Sequence, residues 1–136
     1  MNKQELIDSL KESEGVRFKP YRDTVGKLTI GVGRNLDDLG ISDDEANYLL
    51  NNDIERVLDQ CTSLPYWLSL NDERKAVIAE MLFNLGLSGV KKFKNMSAAL
   101  KENNFDKAAA EMLNSKWANQ VGNRAVRLAN RMKLGC

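Results

Sequence analysis

The sequence predicts a predominantly helical α+β fold, and three features carry that expectation. One run of β-branched and aromatic residues, Arg17 to Val32, is broken at Gly26 and reads as a single hairpin. Ser42-Asp43-Asp44-Glu45 is a capping box that opens a long amphipathic helix through about Gln60. Downstream of it the chain shows helical periodicity interrupted only by short turns. The expected architecture is a small hairpin lobe over about residues 14–45, a long connecting helix, and a helical lobe over about 60–136. That lobe also takes the first helix, residues 3–13, and all 136 residues form one domain.

Each element has its own justification. In the first helix Leu6, Ile7 and Leu10 make a short apolar stripe of the kind that packs on a helical core. Gly15 stops this helix, being the residue type that most easily takes the left-handed conformation past a helix end. Arg17 to Tyr21 and Leu28 to Val32 are the two strands; Arg34 to Gly40 is polar and irregular, with a turn at Asp37-Asp38-Leu39-Gly40. Ala46, Leu49, Leu50, Ile54, Val57 and Leu58 form the stripe of the connecting helix. Leu64-Pro65-Tyr66-Trp67 breaks the pattern. Asn71 or Asp72 then caps a helix that runs to a stop at Gly86 and is apolar nearly all round, as a buried central helix would be. Ser88 opens a short helix over 89–94, and Asn95 or Ser97 another over 97–103. Asp106 is the expected N-cap of a helix through about Ser115, and a last helix, Arg124 to Lys133, ends at Gly135.

Composition narrows the chemistry. Hydrophobic residues at 43% and charged residues at 29% are those of an ordinary globular protein. No apolar run is long enough to span a bilayer, and no basic-then-hydrophobic segment opens the chain, so no export signal is expected. Histidine is absent, which excludes Ser-His-Asp and Cys-His catalysis and most zinc sites. Cys61 and Cys136 are not spaced as a metal-ligand pair, and a disulfide between them stays open beside two free thiols. Net charge is +1, unevenly placed: residues 1–90 hold 10 Lys/Arg against 16 Asp/Glu, residues 91–136 hold 10 against 3. Lys116, Arg124, Arg127, Arg131 and Lys133 therefore make either a polyanion-seeking face or a solvated one that balances the acidic half.

The chemistry centres on Glu14 to Gly33. Glu14 sits at a helix C-terminus, Asp23 enters the hairpin turn, and Thr29 lies on the returning strand. Cleavage of a glycosidic bond needs one carboxylic acid that donates to the leaving oxygen and one carboxylate that activates water or stabilises positive charge. The negative end of the helix dipole and the like charge of Asp23 both disfavour ionised Glu14, which suits it to the acid role. Asp23, in a polar turn beside Arg22, suits the carboxylate role. Taken singly, Asp23 also reads as a turn former and Thr29 as an ordinary strand residue. Gly31-Val32-Gly33 suggests a dinucleotide loop, but no third glycine and no helix follow it.

The same stretch resembles the phage-type lysozymes, the endolysins of glycoside hydrolase family 24. Glu14-Gly15, Tyr21-Arg22-Asp23-Thr24, Gly26 and Thr29-Ile30-Gly31-Val32-Gly33 carry the likeness. Phe83-Asn84-Leu85-Gly86 with Gly89-Val90 and Phe93 continues it, as does Ser115-Lys116-Trp117-Ala118-Asn119-Gln120 with Asn123-Arg124-Ala125. The resemblance implies a lysozyme-like two-lobed fold with Glu14, Asp23 and Thr29 as the catalytic set, acting by inversion and without cofactor or metal. It further nominates Phe83, Arg34 with its neighbour Asn35, and Arg124 as substrate-binding. Arg34 stands where the family often has His, and an Arg there would keep a charge pair while losing its pH sensitivity. The segment Arg34 to Ile41 is short for the family, so a reduced small lobe is expected.

The implied activity is hydrolysis of the β-1,4 bond from N-acetylmuramic acid to N-acetylglucosamine in bacterial peptidoglycan, by a monomer that lyses its host. The expected route is retention in the host cytoplasm until another agent opens the membrane, then action on the wall from the periplasm. Neither nucleic acid nor stable membrane insertion is expected. Two rivals stand beside it: a lytic transglycosylase, which needs one acid and no water, and a non-enzymatic wall-binding protein.

Overall fold

A computed structural model describes residues 1–136. Seven α-helices and one small antiparallel sheet follow in the order α1 (Lys3–Glu14), β1 (Arg17–Arg22), β2 (Leu28–Gly31), β3 (Arg34–Asn35), α2 (Asp43–Cys61), α3 (Asp72–Lys91), α4 (Lys94–Lys101), α5 (Phe105–Leu113), α6 (Lys116–Val121) and α7 (Asn123–Leu134). A 3-10 turn at Trp67–Ser69 precedes α3. This is the mostly helical α+β architecture that the sequence led us to expect. The contacts divide the chain into two units, Met1–Leu49 and Leu50–Cys136. No helix is long and apolar enough to cross a membrane.

In the first unit, Asn2 caps α1 by accepting from the Glu5 amide, and Gly15 ends it at φ 74° while its N–H bonds the Lys11 carbonyl. Most side chains are strained at that angle, so glycine is what lets the chain turn directly from helix into strand. The sheet order is β1-β2-β3, with β2 in the middle. Its register pairs Arg17 with Gly31 and Tyr21 with Thr29, so β1 carries an irregularity between Arg17 and Tyr21. Pro20 lies inside it; without an N–H it can donate nothing to the ladder, and an edge strand tolerates that. Arg17 keeps this stretch in place by resting its guanidinium 4.9 Å from the centre of the Tyr21 ring. β3 is an addition to the expected hairpin, pairing Asn35 with Thr29 and Arg34 with Ile30. Two residues are too few to leave an alternating pattern.

The capping box forms as read: the Ser42 hydroxyl accepts from the Glu45 amide, and Glu45 accepts from the Ser42 amide. The division into units places α1 with the hairpin, whereas residues 3–13 were expected to go with the helical lobe. No residue of α1 is buried, so its three-residue stripe stays largely open.

The second unit holds the core, which runs from Val57 to Met132. In α3 the expected all-round burial gives way to one buried face, Val77, Ile78, Met81 and Leu82, while Phe83 remains 47% exposed. Gly86 breaks this helix at φ 79°, where the sequence placed its end, and helix resumes at once rather than at residue 89. α4 begins at Lys94 instead of 97. Asn104, not Asp106, caps α5 by accepting from the Lys107 amide. Asp106 instead sits in the first turn, where its charge meets the positive end of the helix.

α6, capped by Ser115, was not foreseen as a separate helix. α7 buries Ala125, Leu128, Ala129 and Met132 at helical spacing. Its C-terminal carbonyls are closed by Arg74, which donates to Met132 and Lys133 and stacks 3.5 Å from the centre of the Phe105 ring. Cys61 is buried, Cys136 is exposed, and both thiols are free. Burial pushes the Cys61 thiol up to about 11.

Candidate active site

The first unit brings together five of the nominated residues. Glu14 is the last residue of α1, exposed, with its side chain lying across Gly33. Asp23 closes the β1–β2 turn: its Oδ1 accepts from the amides of Val25 and Lys27, and its own N–H donates to the Lys27 carbonyl. Thr29 is almost wholly buried on the central strand, where its hydroxyl donates to that same Lys27 carbonyl at 2.9 Å. One peptide residue, Lys27, therefore fixes both Asp23 and Thr29. The turn-forming role that competed with catalysis in the sequence is real, and it uses only one of the two Asp23 oxygens.

The Lys27 ammonium pairs with Asp38 at 3.1 Å, and Asp37 accepts from the Leu28 amide. Asn35 exchanges two hydrogen bonds with Asp38, through its amide nitrogen and its carbonyl oxygen. Asp37 and Asp38, read in the sequence only as a turn, thus anchor the strand that carries Thr29. Sequence spacing held no signal for it, because the pairing crosses from the turn after β3 back to β2.

Arg34 donates to the Gly40 carbonyl and to Glu45 at 2.8 Å, tying β3 to the start of α2. The Arg34 guanidinium and the Ser42 amide hold the Glu45 carboxyl down at about 2. The charge pair anticipated for Arg34 is present. Alongside it, Ile30, Val32, Ile41, Tyr48 and Leu49 line an apolar groove of about 600 Å³.

In the second unit, Phe83 and Arg124 line one groove of about 390 Å³ whose walls include Leu50, Ile54, Leu58 and Glu80. Arg124 pairs with Glu80 at 3.1 Å. Next to Phe83, Asn84 accepts from the Trp117 indole N–H at 2.8 Å, and Trp117 and Phe93 pack nearly perpendicular to each other. Glu80 and the Asn84–Trp117 pair were not singled out as partners in the sequence, although Asn84 and Trp117 both fall within its motif blocks.

A family description headed "Phage lysozyme" matches residues 11–133. The chain belongs to the phage lysozyme family. Among its relatives is a protein named probable T4-type lysozyme 2 from Dictyostelium discoideum, 29% identical over 160 aligned positions that cover 96% of this chain and 94% of that one. The SAR-endolysin of Escherichia phage Mu is 29% identical over 140 positions, 98% of this chain and 75% of the endolysin. The peptidoglycan hydrolase gp36 of Pseudomonas phage phiKMV is 28% identical over 142 positions, 97% of this chain but 16% of gp36. Membership in the phage lysozyme family thus spans nearly the whole chain, including Glu14, Asp23, Thr29 and Gly33.

Proposed function

We propose that this phage-family lysozyme hydrolyses peptidoglycan at the β-1,4 bond between N-acetylmuramic acid and N-acetylglucosamine. The observation that carries the reading is the anchoring of Asp23 and Thr29 on one residue, Lys27, in the unit that also presents Glu14. Glu14 donates its proton to the O4 leaving oxygen of N-acetylglucosamine. The Thr29 hydroxyl spends its hydrogen on Lys27, so toward a water its oxygen can only accept. Asp23, with one oxygen taken by the turn, accepts through the other. A water donating to both turns a lone pair toward the anomeric carbon, attacks as the glycosidic bond breaks, and passes its proton to Asp23. One water is consumed, a reducing N-acetylmuramic acid forms, and the anomeric carbon inverts.

Phe83 offers an exposed aromatic face to sugar, and Arg124, paired with Glu80, a partly neutralised cation beside it. Arg34 and Asn35 support the site through their bonds to Glu45 and Asp38. In this reading the protein acts as a monomer on the host wall from the periplasm, once another agent has opened the membrane, and lysis follows. Digestion of purified peptidoglycan tests it. New reducing ends at N-acetylmuramic acid are expected; anhydro-muramic products would instead mark a transglycosylase, and wall binding without release a non-enzymatic module.

A further inference from the structure

The Gly31-Val32-Gly33 turn between β2 and β3 holds two glycines with nearly the same φ, 68° and 67°. Their surroundings differ. A Cβ at Gly31 would meet nothing within 4 Å. A Cβ at Gly33 would lie 2.8 Å from Glu14 Oε2, 3.0 Å from Cδ and 3.2 Å from Cγ. The whole outer half of the Glu14 side chain therefore rests on the bare α-carbon of Gly33. Within the first unit no side-chain or backbone donor bonds the Glu14 carboxyl, so the contact with Gly33 is the one that seats the group there.

We infer that Gly33 is a positioning residue for the catalytic acid: its missing side chain creates the seat that aims the Glu14 carboxyl at the leaving oxygen. The inference rests on Glu14 being the general acid. Gly31 shares the positive φ but has no neighbour to displace, so comparing the two positions separates backbone strain from the contact with Glu14. A methyl group at 33 must lift the carboxyl by several tenths of an ångström or swing it to another rotamer. Proton donation is sensitive to displacement on that scale.

The matched pair of variants isolates this effect. Gly31→Ala and Gly33→Ala both place a side chain at a positive φ, so each is expected to lower the melting temperature, and the melts confirm that both fold. Gly31→Asn and Gly33→Asn repeat the comparison with a residue that tolerates positive φ, in case the alanine variants fold poorly. Each is assayed on peptidoglycan and on a β-aryl glycoside of an N-acetylglucosaminyl-N-acetylmuramyl peptide bearing an acidic phenol. That leaving group departs without protonation, so a misplaced acid matters little to it. The expected result is a kcat at least ~10-fold lower for Gly33 variants than for their Gly31 counterparts on peptidoglycan, with the gap closing on the aryl glycoside.

Equal rates for the two positions on peptidoglycan would overturn the inference, as would an equal Gly33-specific loss on both substrates, which marks a structural role. Glu14→Gln, run alongside, separates the two claims. If it remains active on peptidoglycan, the assignment of Glu14 fails first and the inference falls with it.

Discussion

At the residue scale the informative side chain is Thr29. A β-branched residue on a central strand is expected from strand propensity alone, yet its hydroxyl hydrogen is spent on the Lys27 carbonyl, which leaves the oxygen only its acceptor capacity. The hydroxyl, rather than the branched shape, should matter for rate. Thr29→Ser keeps the hydroxyl and is expected to retain most activity. Thr29→Val keeps the shape and is expected to lose about tenfold in kcat, the worth of one hydrogen bond of ~1.4 kcal/mol to the reacting water. Steady-state kinetics on soluble peptidoglycan fragments, with melting curves to confirm folding, check this. Equal activity in Thr29→Val would return Thr29 to a purely structural part.

At the element scale, the Arg34–Glu45 pair joins β3 to the first turn of α2. Glu45 is held down at about 2 from an ordinary value of 4.5. Its contribution to stability is therefore complete above pH about 4.5 and lost as pH falls through about 2. Arg34 stays charged throughout, so nothing is lost on the alkaline side. Arg34→His reverses this: a histidine facing Glu45 has a raised pKa, stabilises below its unfolded value of about 6.5, and loses that contribution as pH rises through the folded value. Thermal melts of Arg34→His should match wild type near pH 5 and fall below it by pH 8; parallel curves across that range would contradict the strap.

Elements of this kind were legible where local chemistry specifies them. The capping box, the stop at Gly15, the break at Gly86 and the end at Gly135 are each set by one or two residues acting on neighbouring backbone. What the sequence concealed depends on distant partners. β3 exists only because Ile30 and Thr29 pair with it, and the Arg74 closure of α7 joins residues 58 and 59 positions apart. Asn104 won over Asp106 as N-cap because both are good cap residues and the left-handed Asn103 just before decides where the helix begins. Among candidate site residues, Glu14, Asp23 and Thr29 could be nominated from the sequence because their motif is contiguous. Gly33 was visible only as part of that motif, since the Glu14 side chain above it is a matter of folding.

At the scale of the whole molecule, charge is the property that outlasts any single contact. The basic C-terminal stretch is not uniformly free: Arg124 answers Glu80 and Arg131 answers Glu73 within the second unit. Of the five cations after Glu111, Lys116, Arg127 and Lys133 are exposed without such partners in the second unit, and they are available to an anionic wall. If they assist encounter, activity falls steeply with added salt, because exposed charges are screened within about 8–10 Å at physiological ionic strength. Arg127→Gln with Lys133→Gln should flatten that salt curve, whereas Arg131→Gln should chiefly lower stability by removing its bond between α3 and α7. A salt dependence unchanged in the double variant would make these residues a solvated face and nothing more.

The central claim, that Glu14 supplies the proton that releases the sugar, is tested most directly by the rate of reducing-end formation from purified peptidoglycan with Glu14→Gln. The amide preserves size and can still rest on Gly33, so circular dichroism and melting temperature should stay near wild type. The account predicts a rate at least ~100-fold lower, the usual loss when a general acid is removed. A folded Glu14→Gln protein that forms reducing ends at the wild-type rate would contradict it.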